Sequence, residues 1–66
     1  MKQIAIKKEL FSKSSLERAV QDFSGLCAIK VMERADVWEL GFSDCRFDES
    51  RTVNEFENYL IGLENK

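Results

Sequence analysis

The chain is 66 residues long, 44% apolar and 33% charged, with two cysteines, no proline and no histidine. That is the balance of a folded globular chain, and the length allows one domain, close to the lower limit at which a core holds without disulfides or metal. It excludes a disulfide-rich secreted scaffold, a membrane span and any site built on imidazole, so a single cytoplasmic domain covering residues 1–66 is expected.

The net charge of −2 is unevenly spread. Residues 1–18 carry five Lys/Arg against two Glu, and residues 19–66 carry five Lys/Arg against ten Asp/Glu. A basic end of that size falls short of a surface that must neutralise several phosphates at once, so no nucleic-acid partner is expected.

From Lys2 to Glu9, Ile4 and Ile6 alternate with Gln3, Ala5 and Lys7, which predicts a first strand with its isoleucines inward. Ser14-Ser15-Leu16-Glu17 fits a capping box, so a helix is expected to begin there. Leu16, Ala19, Val20 and Phe23 form its apolar stripe, and Gly25 stands where a left-handed C-cap is wanted.

Between Leu26 and Arg34 the period returns to two, with Cys27, Ile29 and Val31 on one side and Ala28, Lys30 and Met32 on the other. Ala35-Asp36 is a short polar break before Val37 to Ser43, where Trp38, Leu40 and Phe42 alternate with Val37, Glu39 and Gly41. The two runs predict a hairpin whose turn lacks the usual Asn-Gly or Asp-Gly pair. Asp44 to Arg51 is a polar loop whose single large apolar residue, Phe47, is expected to fold back over the core. Thr52-Val53-Asn54-Glu55 repeats the capping pattern, and Val53, Phe56, Leu60 and Leu63 continue as the stripe of a second helix, with Tyr59 and Ile61 beside it.

The order β-α-β-β-α predicts an α+β domain: a three-stranded mixed sheet in the order 1-3-2, with two helices on one face. This is a ferredoxin-like arrangement without its fourth strand. The missing strand leaves the outer edge of strand one open, to be blunted by Lys2, Lys7 and Lys8 or used to bind another strand.

Chemistry is conspicuous by its gaps. Without histidine the commonest general base and metal ligand are lacking, and two cysteines cannot supply the four thiolates of a structural zinc or iron–sulfur site. Cys27 reads as a buried small hydrophobe; Cys45, in the polar loop, reads as an exposed thiol open to oxidation or to cross-linking between chains. Asp44, Asp48 and Glu49 lack the spacing and the glycine of a calcium loop, and Ser12, Ser14 and Ser15 are explained by capping rather than nucleophilic chemistry. No enzyme activity, metal or cofactor is expected. Alternation sends Trp38 and Phe42 inward, so the open face of the sheet offers no aromatic platform for bases. That face instead combines Ala28, Met32 and Val37 with Gln3, Ala5 and Lys7 of strand one, and these six are the candidate partner-binding residues.

The run from Leu10 through Phe11, Ser12, Ser14, Leu16 and Glu17 to Ala19, then Asp22-Phe23, a strand and hairpin, and finally Glu55-Phe56-Glu57-Asn58-Tyr59-Leu60-Ile61, resembles the small HxsD-like proteins of His-Xaa-Ser peptide maturation systems. The resemblance spans about Ile4 to Leu63. It implies an accessory protein that works beside radical-SAM enzymes modifying a ribosomally made peptide, with the iron–sulfur chemistry in those enzymes and no catalytic residue in this chain. Two functions are thus expected of the open edge of strand one: binding a radical-SAM enzyme or its precursor peptide, or pairing with a second copy in a homodimer.

Overall fold

Alternation and helical stripes set the elements, and the computed structural model describes them over residues 1–65. Strand β1 is Lys2–Lys7, helix α1 Lys13–Phe23, strand β2 Ala28–Glu33, strand β3 Val37–Ser43 and helix α2 Glu49–Glu64. The sheet runs in the order β1-β3-β2. Strands β1 and β2 point the same way, but β3 lies between them and pairs antiparallel with both. The expected mixed sheet is therefore corrected to an antiparallel one, since the two parallel strands are never neighbours.

The register lines up three rows, apolar except at Glu33 and Lys2: Ile4–Leu40–Val31, Ile6–Trp38–Glu33 and Lys2–Phe42–Ile29. Where these rows are apolar they face the helices. Trp38, Leu40 and Phe42 are buried, together with Ile6, Leu16, Ala19, Val53, Phe56 and Leu60. The Phe56 ring meets Phe42 edge-on at 5.2 Å and Phe23 at 5.4 Å, so one aromatic of α2 joins the sheet to α1. Helix α2 lies against β1 and β3, and α1 packs mainly on α2. Strand β2 is consequently the least covered, with Val31 42% exposed on the helix side.

Both helices begin earlier than the capping boxes suggest. Ser12 is the N-cap of α1, its hydroxyl accepting from the Ser15 backbone N–H, and Asp48 is the N-cap of α2, its carboxylate accepting from Arg51 N–H. Each supplies a side-chain oxygen to an otherwise unpaired amide of the first turn, two residues upstream of Ser14 and four upstream of Thr52 respectively. Thr52 is instead buried within the first turn of α2, where its hydroxyl donates to the Asp48 carbonyl. Gly25 is not left-handed: α1 ends at Ser24 in a right-handed conformation, and a tight turn follows with Leu26 N–H donating to the Phe23 carbonyl.

The Ala35-Asp36 turn closes on a bond from Arg34 N–H to the Val37 carbonyl and uses no left-handed residue. At the other end of the hairpin the register ends on Ala28 opposite Ser43, and Asp44 adopts φ 51°. That left-handed step turns the next residue back toward β2, and Arg46 N–H donates to the Leu26 carbonyl. Cys45 is thereby brought against Cys27, and the two form a disulfide with their Cα atoms 4.0 Å apart. Cys27 is buried as expected; Cys45 is not the exposed thiol its polar neighbours suggested but half-buried against the core. Phe47, by contrast, is 68% exposed and does not cover the core. Among the described residues no helix is long and apolar enough to cross a membrane.

Candidate functional site

The six candidate partner-binding residues share one face. Register places Gln3 beside Gly41, Ala5 and Met32 on either side of Glu39, Lys7 beside Val37, and Ala28 beside Ser43. All point away from the helices, because each is one residue out of step with the buried rows. Gln3, Ala5, Lys7, Ala28 and Met32 are exposed and Val37 half-buried. A shallow depression forms over Gly41, rimmed by Met1, Gln3, Lys30 and Met32. Its cause is the missing side chain at the centre of the sheet; the Met1 sulfur stands 4.0 Å from where a Cβ would be. No aromatic ring projects from this face, since Trp38 and Phe42 are buried on the other.

Three of the six do more than share a face, because they form the free edge of β1. The N–H of Lys8 donates to the carbonyl of Asp36 at 3.0 Å, which continues the β1–β3 register by one pair. In an antiparallel ladder only alternate pairs exchange hydrogen bonds. Lys8, Ile6, Ile4 and Lys2 therefore spend their backbone groups on β3, and Gln3, Ala5 and Lys7 direct theirs outward, the Lys7 carbonyl accepting from Leu10 N–H at 3.1 Å in the turn that ends the edge. Among the described residues no other strand lies on that side.

The helix side of this edge is apolar. Ile6, Leu10, Phe11, Leu60 and Ile61 line a depression between β1, the loop after it and α2, with Ala5, Lys7 and Glu57 completing its lining. Leu10 is 62% and Ile61 46% exposed there, so two of the large exposed apolar residues of the chain stand at one strand edge. The periodicity marks Ile61 as lying off the main α2 stripe, and the depression gives it a place. Leu10 and Phe11 are the residues that alternation misses, because they lie in the loop beyond the strand, where no period identifies a face.

The charges around β1 are partly spoken for. Lys8 Nζ contacts Glu33 Oε2 at 2.7 Å and sits 5.5 Å from the centre of the Trp38 ring, which ties the end of β1 to β2 across the central strand. The hydrogen bond from Lys8, with its charge, holds the Glu33 carboxyl below the usual glutamate range. Lys7 has no such contact among the described residues and stands exposed at the edge.

A third depression, between α1 and β2, is lined by Leu16, Val20, Val31 and Trp38 with Lys13, Glu17 and Glu33 at the rim. It exists because α1 leans on α2 rather than on β2. Among the described residues no group of three or more His, Cys, Asp or Glu side chains is placed to hold a metal ion. Comparison with protein-family models, with curated proteins and with solved structures finds no match.

Proposed function

We propose that this chain is a non-catalytic binding module that offers the free edge of β1 to an extended segment of a protein or peptide partner. One observation carries the reading: the outward backbone groups of Gln3, Ala5 and Lys7 lie beside an exposed apolar depression formed by Leu10, Phe11, Leu60 and Ile61. Main-chain pairing supplies affinity and alternate side chains supply selectivity in this mode of recognition. An added strand would fill the place of the fourth strand in a ferredoxin-like sheet, with its inward residues over Leu10 and Ile61 and its outward ones beside Ala5 and Lys7. The open face around Met32 and Val37 extends the same surface.

The resemblance to HxsD-like proteins supports a radical-SAM enzyme or its precursor peptide as that partner, in the cytoplasm. In that compartment glutathione and thioredoxin would keep Cys27 and Cys45 as adjacent thiols rather than as the disulfide.

The test uses the direction of a single amide. Proline at position 5 removes an outward donor and leaves the β1–β3 bonds in place, because Ala5 spends none of its backbone groups on β3. Tagged wild-type chain should recover a partner from its native cells that slows amide exchange at Gln3, Ala5 and Lys7, and Ala5→Pro should release it. A partner held equally by Ala5→Pro, or one that leaves those three amides exchanging freely, would overturn the reading.

A further inference from the structure

We infer that, when no foreign strand occupies it, the β1 edge is closed by β1 of a second copy of this chain, joining two three-stranded sheets into one of six strands. The inference rests on the reading of β1 as a strand-accepting edge, and it names the strand.

The case lies in the register. A two-fold axis perpendicular to the sheet keeps the helices of both copies on the same side and pairs β1 antiparallel with itself. Every such register opposes outward residue to outward residue, and the three that keep most of the strand paired are centred on Ile4, on Ala5 or on Ile6. Centring on Ile4 sets Lys2 against Ile6, and centring on Ile6 sets Ile4 against Lys8 and Ala5 against Lys7. Centring on Ala5 sets Ile4 against Ile6 twice, in the close pairs that make no hydrogen bonds, and Gln3 against Lys7 twice. The small Ala5 side chains then meet on the axis. Up to six backbone hydrogen bonds form, two in each of the three outward pairs, two of them shared with the Leu10 N–H that each Lys7 carbonyl already accepts. No like charges oppose within the strand. Lys2 meets position 8 only beyond its end, where the Lys8 ammonium is already bound to Glu33.

The helix side agrees with this register. Leu10 and Ile61, exposed in one copy, lie on the same side of the joint as their counterparts and beside the paired isoleucines. A domain this small gains stability from any partner that binds only its folded form.

The other free edge, on β2, is unsuited to the same use. Arg34 N–H donates to Val37, so Ile29, Val31 and Glu33 are its outward residues. Centring on Val31 sets Ile29 against Glu33, a register one step earlier puts Lys30 against itself, and one step later puts Lys30 against Arg34. Like charges directly opposite destabilise the two neighbouring registers, and the Val31 register sets Ile29 against the charged Glu33 on the helix side, where β1 sets Ile4 against Ile6.

Sedimentation of the purified chain from about 1 μM to about 1 mM, the range in which a strand-edge dimer of modest affinity would form, tests the inference. The wild type should sediment as a dimer within that range. Two variants should be monomers where the wild type is dimeric: Ala5→Pro, which removes an outward donor on the axis, and Ala5→Lys, which puts two like charges there without altering the backbone. Each should weaken association at least tenfold, and Ala5→Lys, at an exposed open-face position, decides the question if the proline variant fails to fold. A wild type that is monomeric throughout overturns the inference. So does a dimer that survives both substitutions, which would place the contact elsewhere. A monomeric wild type whose Gln3, Ala5 and Lys7 amides are nonetheless protected by a captured partner overturns the self-pairing alone and leaves the strand-accepting edge standing.

Discussion

Ser12, the N-cap of α1, is bound to Glu64, the last residue of α2: its backbone N–H lies 3.1 Å and its hydroxyl 2.7 Å from the same carboxylate oxygen. The two helices are thus tied at one end by a carboxylate placed at a helix N-terminus, where the unpaired amides and the dipole favour negative charge. Hydrogen bonds from the Ser15 and Ser12 hydroxyls and from the Ser12 amide hold the Glu64 carboxyl below the usual glutamate range.

The pH dependence of stability follows from that lowering. A carboxyl with a depressed folded-state pKa contributes stability that is complete above its unfolded value and is lost as pH falls through the folded one. Thermal melts should therefore fall on acidification below the usual glutamate range, and Glu33, lowered by Lys8, should add to the loss. Glu64→Gln should be less stable than wild type at neutral pH, with the gap closing in acid. A gap that stays constant with pH would show that the Glu64 charge contributes nothing at this helix end.

The Cys27–Cys45 bond closes a segment of sequence separation 18. In the chain-entropy account a loop of that size contributes roughly 3 kcal/mol, a large share of the stability of so small a domain. Cys45→Ser, or reduction of the wild type, should lower the unfolding free energy by about that amount in a urea titration. Unchanged midpoints with and without reductant would mean that the bond does not constrain the unfolded chain.

Much of this architecture is legible in the sequence, for identifiable reasons. Alternation fixes which side of each strand faces the helices, because a slip of one residue would expose Ile4, Ile6, Trp38, Leu40 and Phe42 together. The stripe of α2 is legible because Val53, Phe56 and Leu60 recur at the helical period. What is hidden depends on single conformations. The left-handed step at Asp44 brings Cys45 to Cys27, and nothing in the residue types around Asp44 announces it. The cap positions are hidden because Ser12 and Asp48 compete with neighbouring Ser14 and Thr52, and only packing decides between them. In the candidate site, the faces of Gln3, Ala5 and Lys7 follow from period two, whereas the contribution of Leu10 and Phe11 depends on the path of the loop.

That step at Asp44 should itself be measurable. A β-branched residue in the left-handed region costs roughly 1–2 kcal/mol more than one that adopts it readily, so Asp44→Val should destabilise by about that amount and Asp44→Asn should be close to neutral. Equal midpoints for the two variants would remove the left-handed conformation from any energetic role.

Phe56 is fully buried and its ring meets both Phe23 and Phe42. Phe56→Ala removes the contact of α2 with the sheet and with α1 at once, and such truncations cost about 3–5 kcal/mol. The expected result is a chain largely unfolded at room temperature, seen as lost dispersion in its amide spectrum. A dispersed, wild-type-like spectrum would mean that the core closes around the gap.

Ile61 separates the binding surface from the core. It is 46% exposed in the depression beside the β1 edge, while Leu60, its neighbour in sequence, is fully buried. Ile61→Gln should leave the unfolding free energy within about 0.5 kcal/mol of wild type, as exposed substitutions usually do. If a strand added to β1 packs its inward residues on this side chain, the same substitution should weaken binding, whether of a captured partner or of a second copy, by roughly three- to tenfold through lost apolar burial. Leu60→Gln, by contrast, should unfold the domain. Binding unchanged by Ile61→Gln would confine the contact to the backbone edge and the open face, and would leave the exposed isoleucine without a part in recognition.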